Sequence, residues 1–478
     1  MSRLRLAWAA LAGLLLAACS STPLGPDYQR PAHAVAAQPG AAAPFAEQRI
    51  ADAPYSPAEL PDHWWQLYRD TRLDGLVRQA LTHNHELRQA VANLERVQAL
   101  EAEVRGAQAP SLTLSGGPSY GHASGLQQLR PHTSPPSQLH YSAGAALSYS
   151  WDWLGQLRRQ VEAAQAGSAA AAAALDQLRV QVAANTARAY AQACSTGAQL
   201  DAAQQSLALQ RQALALTERL QQAGRVGQID AARARAQLAQ LQAALAPLQA
   251  QRQGALYRLA TLTGQLPQDF PAELAQCHAA PQLAGLIPVG DGAALLRRRP
   301  DLRQAEQELA AATARIGVAM ADRYPRISLG LSAQSAGLAS GLGRGDTWSW
   351  SLGPLISWTL PNTGIADARV AQAEAGSRAA QAHFDGVVLN ALRETETALN
   401  LYARELDRRA ALQAARDQSA EVAQQARQLY QGGKTGYLEA LDAERNLAAS
   451  EAALAASQAL LVDEQVQLFL ALGGGWQP

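Results

Sequence analysis

The chain has 478 residues, 48% hydrophobic and 17% charged, with 40 basic side chains balancing 40 acidic ones. A zero net charge excludes the basic face that nucleic-acid proteins use, so no nucleic-acid partner is expected. No apolar run reaches the roughly 18 residues of a helical membrane span, which excludes a polytopic helical membrane protein. Sparse aromatics and an excess of Ala, Leu, Gln and Arg point to long helices rather than to an α/β enzyme.

Residues 1–18 read as a secretory signal, with Arg3 and Arg5 before an apolar stretch from Leu6 to Leu16 that is too short to span a bilayer. It ends in Leu16-Ala17-Ala18-Cys19, which resembles a bacterial lipobox. Lipid on Cys19 would anchor residues 19–65 to a membrane without spanning it. Ser20, a non-Asp residue in that position, directs such lipoproteins to the outer membrane. Cys194 and Cys277 are able to pair in an oxidising compartment. The helical position of Cys194 favours two free buried thiols instead. No Cys/His metal spacing occurs, so no metal and no cofactor beyond the lipid is expected.

The body is one unit written twice. Leu87-Arg88-Gln89-Ala90 recurs as Leu302-Arg303-Gln304-Ala305, and Pro110 recurs as Pro325. The segment from Gly224 to Ala231 recurs from Gly433 to Ala440, and Leu262-Thr263-Gly264 recurs as Ala471-Leu472-Gly473. Ordered matches with one change of offset mark a duplication with a single length difference. The first repeat covers 66–264, with a β-hairpin at 111–153, a long helix at 157–223 and a return helix at 229–262. A linker at 265–300 follows. The second repeat covers 301–473, with a hairpin at 326–360, a long helix at 366–432 and a return helix at 438–472, before a tail at 474–478.

The strands carry a period-two alternation. Tyr141, Ala143, Ala145, Leu147, Tyr149, Trp151 and Trp153 interleave with Ser142, Gly144, Ala146, Ser148, Ser150 and Asp152. Trp348, Trp350, Leu352, Pro354, Ile356, Trp358 and Leu360 do the same in the second copy, with Leu355 as the one break. Period-two alternation gives a sheet with one apolar and one small polar face. Its strand lengths and terminal Trp and Tyr suit a tilted membrane strand. Four strands cannot close a barrel, and lipid tolerates no open edge, so the chain must oligomerise. A trimer supplies about 12 strands, enough for an outer-membrane pore. Segments 116–140 and 335–346 then read as exposed loops.

Each long helical pattern runs about 67 residues without proline, roughly 100 Å at 1.5 Å per residue. Each starts directly after a strand, so the helices are expected to continue the barrel wall as a hollow tube. At the far end each turns at a Gly-x-x-Gly hairpin, Gly224 to Gly227 and Gly433 to Gly436.

With these features in place, the chain resembles the TolC-type outer-membrane efflux channels, and within them the lipoprotein branch that serves resistance-nodulation-division pumps. Gly25-Pro26-Asp27-Tyr28 with Pro31 looks like that branch's segment after the lipid-bearing cysteine. Trp64-Trp65 with Leu73 and Leu76 resembles its first helix. Arg298-Arg299-Pro300-Asp301-Leu302 resembles its second-copy opening, and Leu472-Gly473-Gly474-Gly475-Trp476 its C-terminal signature. His85-Glu86 stands where Pro-Asp is usual after Asn84, still acceptable at a helix start.

The resemblance implies a mainly α fold with a membrane β-barrel: a homotrimer whose 12-stranded β-barrel continues into a 12-helix α-barrel tunnel in the periplasm. It implies an adaptor protein and an inner-membrane pump as partners, docking at the hairpin tips Gly224, Gly227, Gly433 and Gly436. Such a protein is a passive exit duct for drugs or other small solutes, and not an enzyme. By the same resemblance Asp230, Glu439 and Asp442 line a periplasmic gate, with Tyr430 matching a gate tyrosine. Trimerisation would turn the acids into carboxylate rings that favour cations. Thr435 and Gly436 occupy the place of a common basic latch, leaving Lys434 or Arg445 as substitutes. Competing readings are a duct for metal ions or secreted polypeptide and a non-conducting coiled-coil spacer. Two Met in the whole chain weaken a thioether metal route, and the alternating strands weaken the spacer.

Overall fold

The computed structural model describes residues 22–50, 53–122, 132, 136–270, 272–283, 285–360 and 363–474. The signal segment, Cys19, Gly475 and Trp476 lie outside the described residues. The chain divides into two compact units. Among the described residues, one takes in those within 1–30, 94–171 and 305–384, the other those within 31–93, 172–304 and 385–478.

The helices are α1 (Thr71–His83), α2 (His85–Gly106), α3 (Gln156–Gln222), α4 (Gln228–Leu262), α5 (Gly292–Arg298), α6 (Pro300–Ala321), α7 (Thr363–Gln431) and α8 (Tyr437–Ala471). The strands are β1 (Tyr55–Ser56), β2 (Ser111–Gly121), β3 (Gln138–Trp151), β4 (Ile287–Pro288), β5 (Arg326–Leu338) and β6 (Trp348–Ser357). The internal repetition is visible in the lengths: α3 and α7 have 67 and 69 residues, and α4 and α8 have 35 each. Pro247 lies inside α4, which continues through it.

In the first unit, one antiparallel sheet runs in the order β2-β3-β5-β6, so the two hairpins join through β3 and β5. The register stacks like on like. Leu112, Leu147, Leu331 and Leu352 form one cross-strand row, and Trp151, Ile327 and Ile356 another. The rows between them carry Thr113, Ala146, Ser332 and Ser351, or Ser111, Ser148, Gly330 and Gly353. A one-residue slip would exchange the two faces, so this pattern fixes the register. On the small polar face the Ser332 and Ser351 hydroxyls bond at 2.9 Å.

The strand boundaries correct two expectations. β6 ends at Ser357 rather than 360, because its partner strand begins at Arg326. The residue before it, Pro325, has no N–H to extend the ladder. The loops are shorter than 116–140 and 335–346, since Gly116–Gly121 pairs with residues 138–143 and β5 runs to Leu338. Glycine and serine weaken a strand without preventing it when the partner's register is set elsewhere.

The first unit also holds the N-terminal segment. Leu24 donates its N–H to the Leu154 carbonyl, just beyond β3. Arg159, almost wholly buried at the start of α3, donates to the carbonyls of Leu24 and Gly25 and pairs with Asp27 at 2.7 Å. Arg30 pairs with Glu306 on α6, which also accepts from Tyr28. Burial and that carboxylate push the Tyr28 phenol up to about 12. Gly25 lies against Gly317, and a Cβ at Gly317 would collide with the Leu24 carbonyl and with Arg159 Cγ at 2.8 Å. Gly317→Val is expected to cost about 1–3 kcal/mol through overpacking and to detach residues 22–30. Limited proteolysis followed by mass mapping would show accelerated cleavage there; an unchanged pattern would mean that the contact holds nothing.

The second unit has its own core. Trp64 is fully buried and stacks on Phe469 of α8 at 4.6 Å between centroids, with Trp65, Tyr68, Leu73, Val77 and Leu468 around them. Trp64 and Trp65 lie in a 3₁₀ turn, Trp64–Tyr68, rather than in the first helix. Arg69 in the left-handed region ends that turn. Asp70 then caps α1 by accepting from the N–H groups of Arg72 and Leu73. Asn84 does the same for α2 through Glu86 and Leu87, so His85-Glu86 sits at a working helix start.

Here the expectation of free thiols is overturned: Cys194 of α3 and Cys277 form a disulfide. Helical geometry is no obstacle, because the side chain of Cys194 meets the linker rather than another residue of its own helix. Gly197, three residues further along α3, makes the approach possible, since a Cβ there would strike the Cys277 carbonyl. Arg252 of α4 donates to that carbonyl at 3.1 Å, and His278 pairs with Asp201 of α3 at 2.7 Å.

Candidate functional site

The hairpin tips are built by two glycines each, with different duties. Gly224 and Gly433 adopt positive φ, +62° and +68°, where any side chain is strained. The N–H groups of Arg225 and Lys434 return to the carbonyls of Leu220 and Leu429, so both long helices end in the same Schellman turn. Gly227 and Gly436 have ordinary negative φ and act as N-caps of α4 and α8. Gly224 and Gly433 are therefore required by the turn. At Gly227 and Gly436 neither the backbone angle nor a neighbouring atom demands glycine.

Behind the tips lies a small apolar cluster of Ala234, Tyr430, Tyr437, Ala440 and Leu441, with Leu214, Leu216 and Leu220 packed against it. Tyr430 and Tyr437 rings approach to 5.5 Å between centroids. Polar links then cross between the two hairpins. The Tyr430 hydroxyl lies 3.5 Å from the Thr217 hydroxyl, which itself donates to the Ala213 carbonyl within α3. Arg445 of α8 donates to Gln237 of α4 at 2.8 Å. Ser206 of α3 donates to Glu451 of α8 at 3.4 Å. Within the hairpins, buried Gln210 donates to the Ala234 carbonyl at 3.1 Å, and Arg427 pairs with Glu444 at 3.2 Å. Burial pushes the Glu444 carboxyl up, and Arg427 opposes the shift. Burial likewise pushes the Tyr437 phenol up.

The acidic candidates separate into two kinds. Asp230 is half-buried in the first turn of α4, with Arg233 at 3.6 Å. Glu439, in the first turn of α8, and Asp442 are exposed. A carboxylate in a first helical turn also interacts favourably with the helix dipole, so Asp230 and Glu439 each have a local stabilising duty besides any other. Tyr430 is buried against the other hairpin. Arg445, considered as a substitute latch, bonds a neutral glutamine rather than a carboxylate. Thr217, Gln210, Gln237 and the Arg427–Glu444 pair were not singled out by sequence reasoning. In helices so rich in Gln and Arg, nothing in the local pattern distinguishes a buried glutamine from a solvated one.

The first unit thus carries an antiparallel sheet with one apolar face, and the second carries two long helical hairpins joined by polar links behind their tips. The family model described as "Outer membrane efflux protein" matches residues 76–265 and 293–474, and the chain belongs to that family. It is 31% identical over 473 residues to the toluene efflux pump outer membrane protein TtgI of Pseudomonas putida, with 97% of each chain covered. It is also 31% identical over 471 residues to the cation efflux system protein CusC of Escherichia coli O157:H7, again with 97% of each covered. Among solved structures, the outer-membrane channel OprN matches with a TM-score of 0.87 and 35% identity, over 95% of this chain and all of that one.

Proposed function

We propose that this protein is the outer-membrane exit duct of a tripartite efflux system. The observation that carries the reading is the sheet: β2 and β6 present unpaired edges beside an apolar face, and only closure with further copies satisfies such edges in lipid. Three copies give a 12-stranded barrel, and α3, α4, α7 and α8 of each copy line a 12-helix tunnel below it. An adaptor and an inner-membrane pump engage the hairpin tips at Gly224, Gly227, Gly433 and Gly436. The pump supplies the energy, and this component supplies a path. Lipid on Cys19 places the anchor a few residues before Leu24, which is tied to the end of β3. The relatives' names specify different cargo, toluene in one and cations in another, which supports a cargo set upstream of the duct.

Asp230, Glu439, Asp442 and Tyr430 form the gate. Tyr430 is the closing contact, because it joins α7 to α3 through Thr217. Glu439 and Asp442, repeated by symmetry, are the charge selector. In planar bilayers, Glu439→Ala/Asp442→Ala is expected to lower cation preference several-fold. Tyr430→Ala is expected to raise open probability several-fold while leaving selectivity intact. Unchanged selectivity in the first variant would remove the two acids from the pore, and an unchanged gate in the second would remove the tyrosine from the latch.

A further inference from the structure

We infer that the Cys194–Cys277 bond is installed by a thiol–disulfide oxidoreductase while the exported chain is still incompletely packed, and that no disulfide isomerase is needed. The inference rests on the lipid-bearing Cys19 of the proposed function. Cys194 is completely buried and Cys277 is 8% exposed. Thiol–disulfide exchange requires an oxidant's sulfur to reach the attacking thiolate. Among the described residues the packed protein offers no such approach: the Cys277 carbonyl is pressed onto Gly197 and held by Arg252, and His278 is held by Asp201. Oxidation must therefore precede this packing. The two cysteines are 83 residues apart, with the Gly224 hairpin between them, so the thiols meet only once α4 has folded back along α3. The bond then fixes the linker against that hairpin.

The steps balance without further reagents. The Cys194 thiolate attacks the catalyst's disulfide, forming a mixed disulfide and releasing one catalyst thiolate. The Cys277 thiolate then attacks Cys194 Sγ, forming the native bond and releasing the second catalyst thiolate. The catalyst gains two electrons, and the two protons lost by the cysteines pass to its thiolates.

The chain has three cysteines in all. Free, they allow three pairings. With the Cys19 sulfur blocked as a lipid thioether, one pairing remains and there is nothing for an isomerase to correct.

The test is production of the full-length protein in three bacterial hosts: normal, lacking the periplasmic dithiol oxidase, and lacking the disulfide isomerase. Thiols are counted by alkylation shift, and the N-terminal peptide is weighed to establish whether Cys19 is lipidated. The inference expects no free thiol in the normal and isomerase-lacking hosts. It expects two free thiols and a several-fold lower membrane yield without the oxidase. C194S/C277S and C194A/C277V should give yields that do not depend on the host. Equal oxidation with and without the oxidase, or two free thiols in the normal host, would overturn installation by a catalyst. Mispaired protein in the isomerase-lacking host with lipidated Cys19 would overturn the single-pairing argument. A Cys19 found unmodified would overturn that argument through its premise instead, while leaving the oxidase result to stand or fall by itself.

Discussion

Arg299→Ala is expected to destabilise the second unit by about 3 kcal/mol, the low end of the range for breaking a buried ion pair. Arg299 is 7% exposed and anchors three elements at once. It forms two bonds with Asp301 in the first turn of α6, pairs with Glu394 of α7 at 3.0 Å, and donates to the Ala471 carbonyl at the end of α8 at 2.8 Å. Its aliphatic stem packs where a side chain at Gly473 would stand. Truncation leaves the Asp301 carboxylate and the Ala471 carbonyl without this partner in a packed setting. Glu394 is half-exposed and recovers water, which is why the low end of the range applies. Arg299→Lys should rescue only part of the loss, because an ammonium cannot form the bidentate bond to Asp301. Denaturant unfolding of the detergent-solubilised protein measures both variants. A loss below about 1 kcal/mol for alanine would mean that Arg299 is a surface pair in effect.

Removing the disulfide is expected to cost a comparable amount. Closing a loop of 83 residues sets a limit of about 4.5 kcal/mol in the chain-entropy model, and measured values fall near 2–4 kcal/mol. C194S/C277S should lower the unfolding free energy within that range. The expected structural consequence is local: proteolysis should increase in the linker around Cys277 before it increases in α3. Cavity effects are small because serine nearly matches cysteine in size. Equal stability of the oxidised protein and the double variant would mean that Arg252 and the His278–Asp201 pair hold the linker unaided.

Much of this molecule was legible in its residues, and the reasons are specific. The alternation in β3 and β6 is physically the same thing as the two-faced sheet, so reading one is reading the other. The long helices begin or end within three residues of expectation because strand-end turns and positive-φ glycines punctuate them. Features depending on meetings between distant segments were not legible. Cys194 and Cys277 meet because Gly197 lets a linker lie on a helix, which no local pattern reveals. The end of β6 depended on Pro325, the residue before β5, rather than on Trp358 and Leu360, which continue the alternation. At the tips, the glycines were legible from their repetition. The links through Thr217, Gln237 and Arg445 were not, since they depend on how α3 and α4 face α7 and α8.

The most direct test of the central claim is the single-channel current of the purified, lipid-modified protein in a planar bilayer. An exit duct with a carboxylate-lined, tyrosine-latched tip predicts small, cation-selective openings in the wild type and larger, longer ones in Tyr430→Ala. Absence of current from both proteins, in samples that cross-linking shows to be trimeric, would contradict a conducting duct and restore the structural spacer as the better reading.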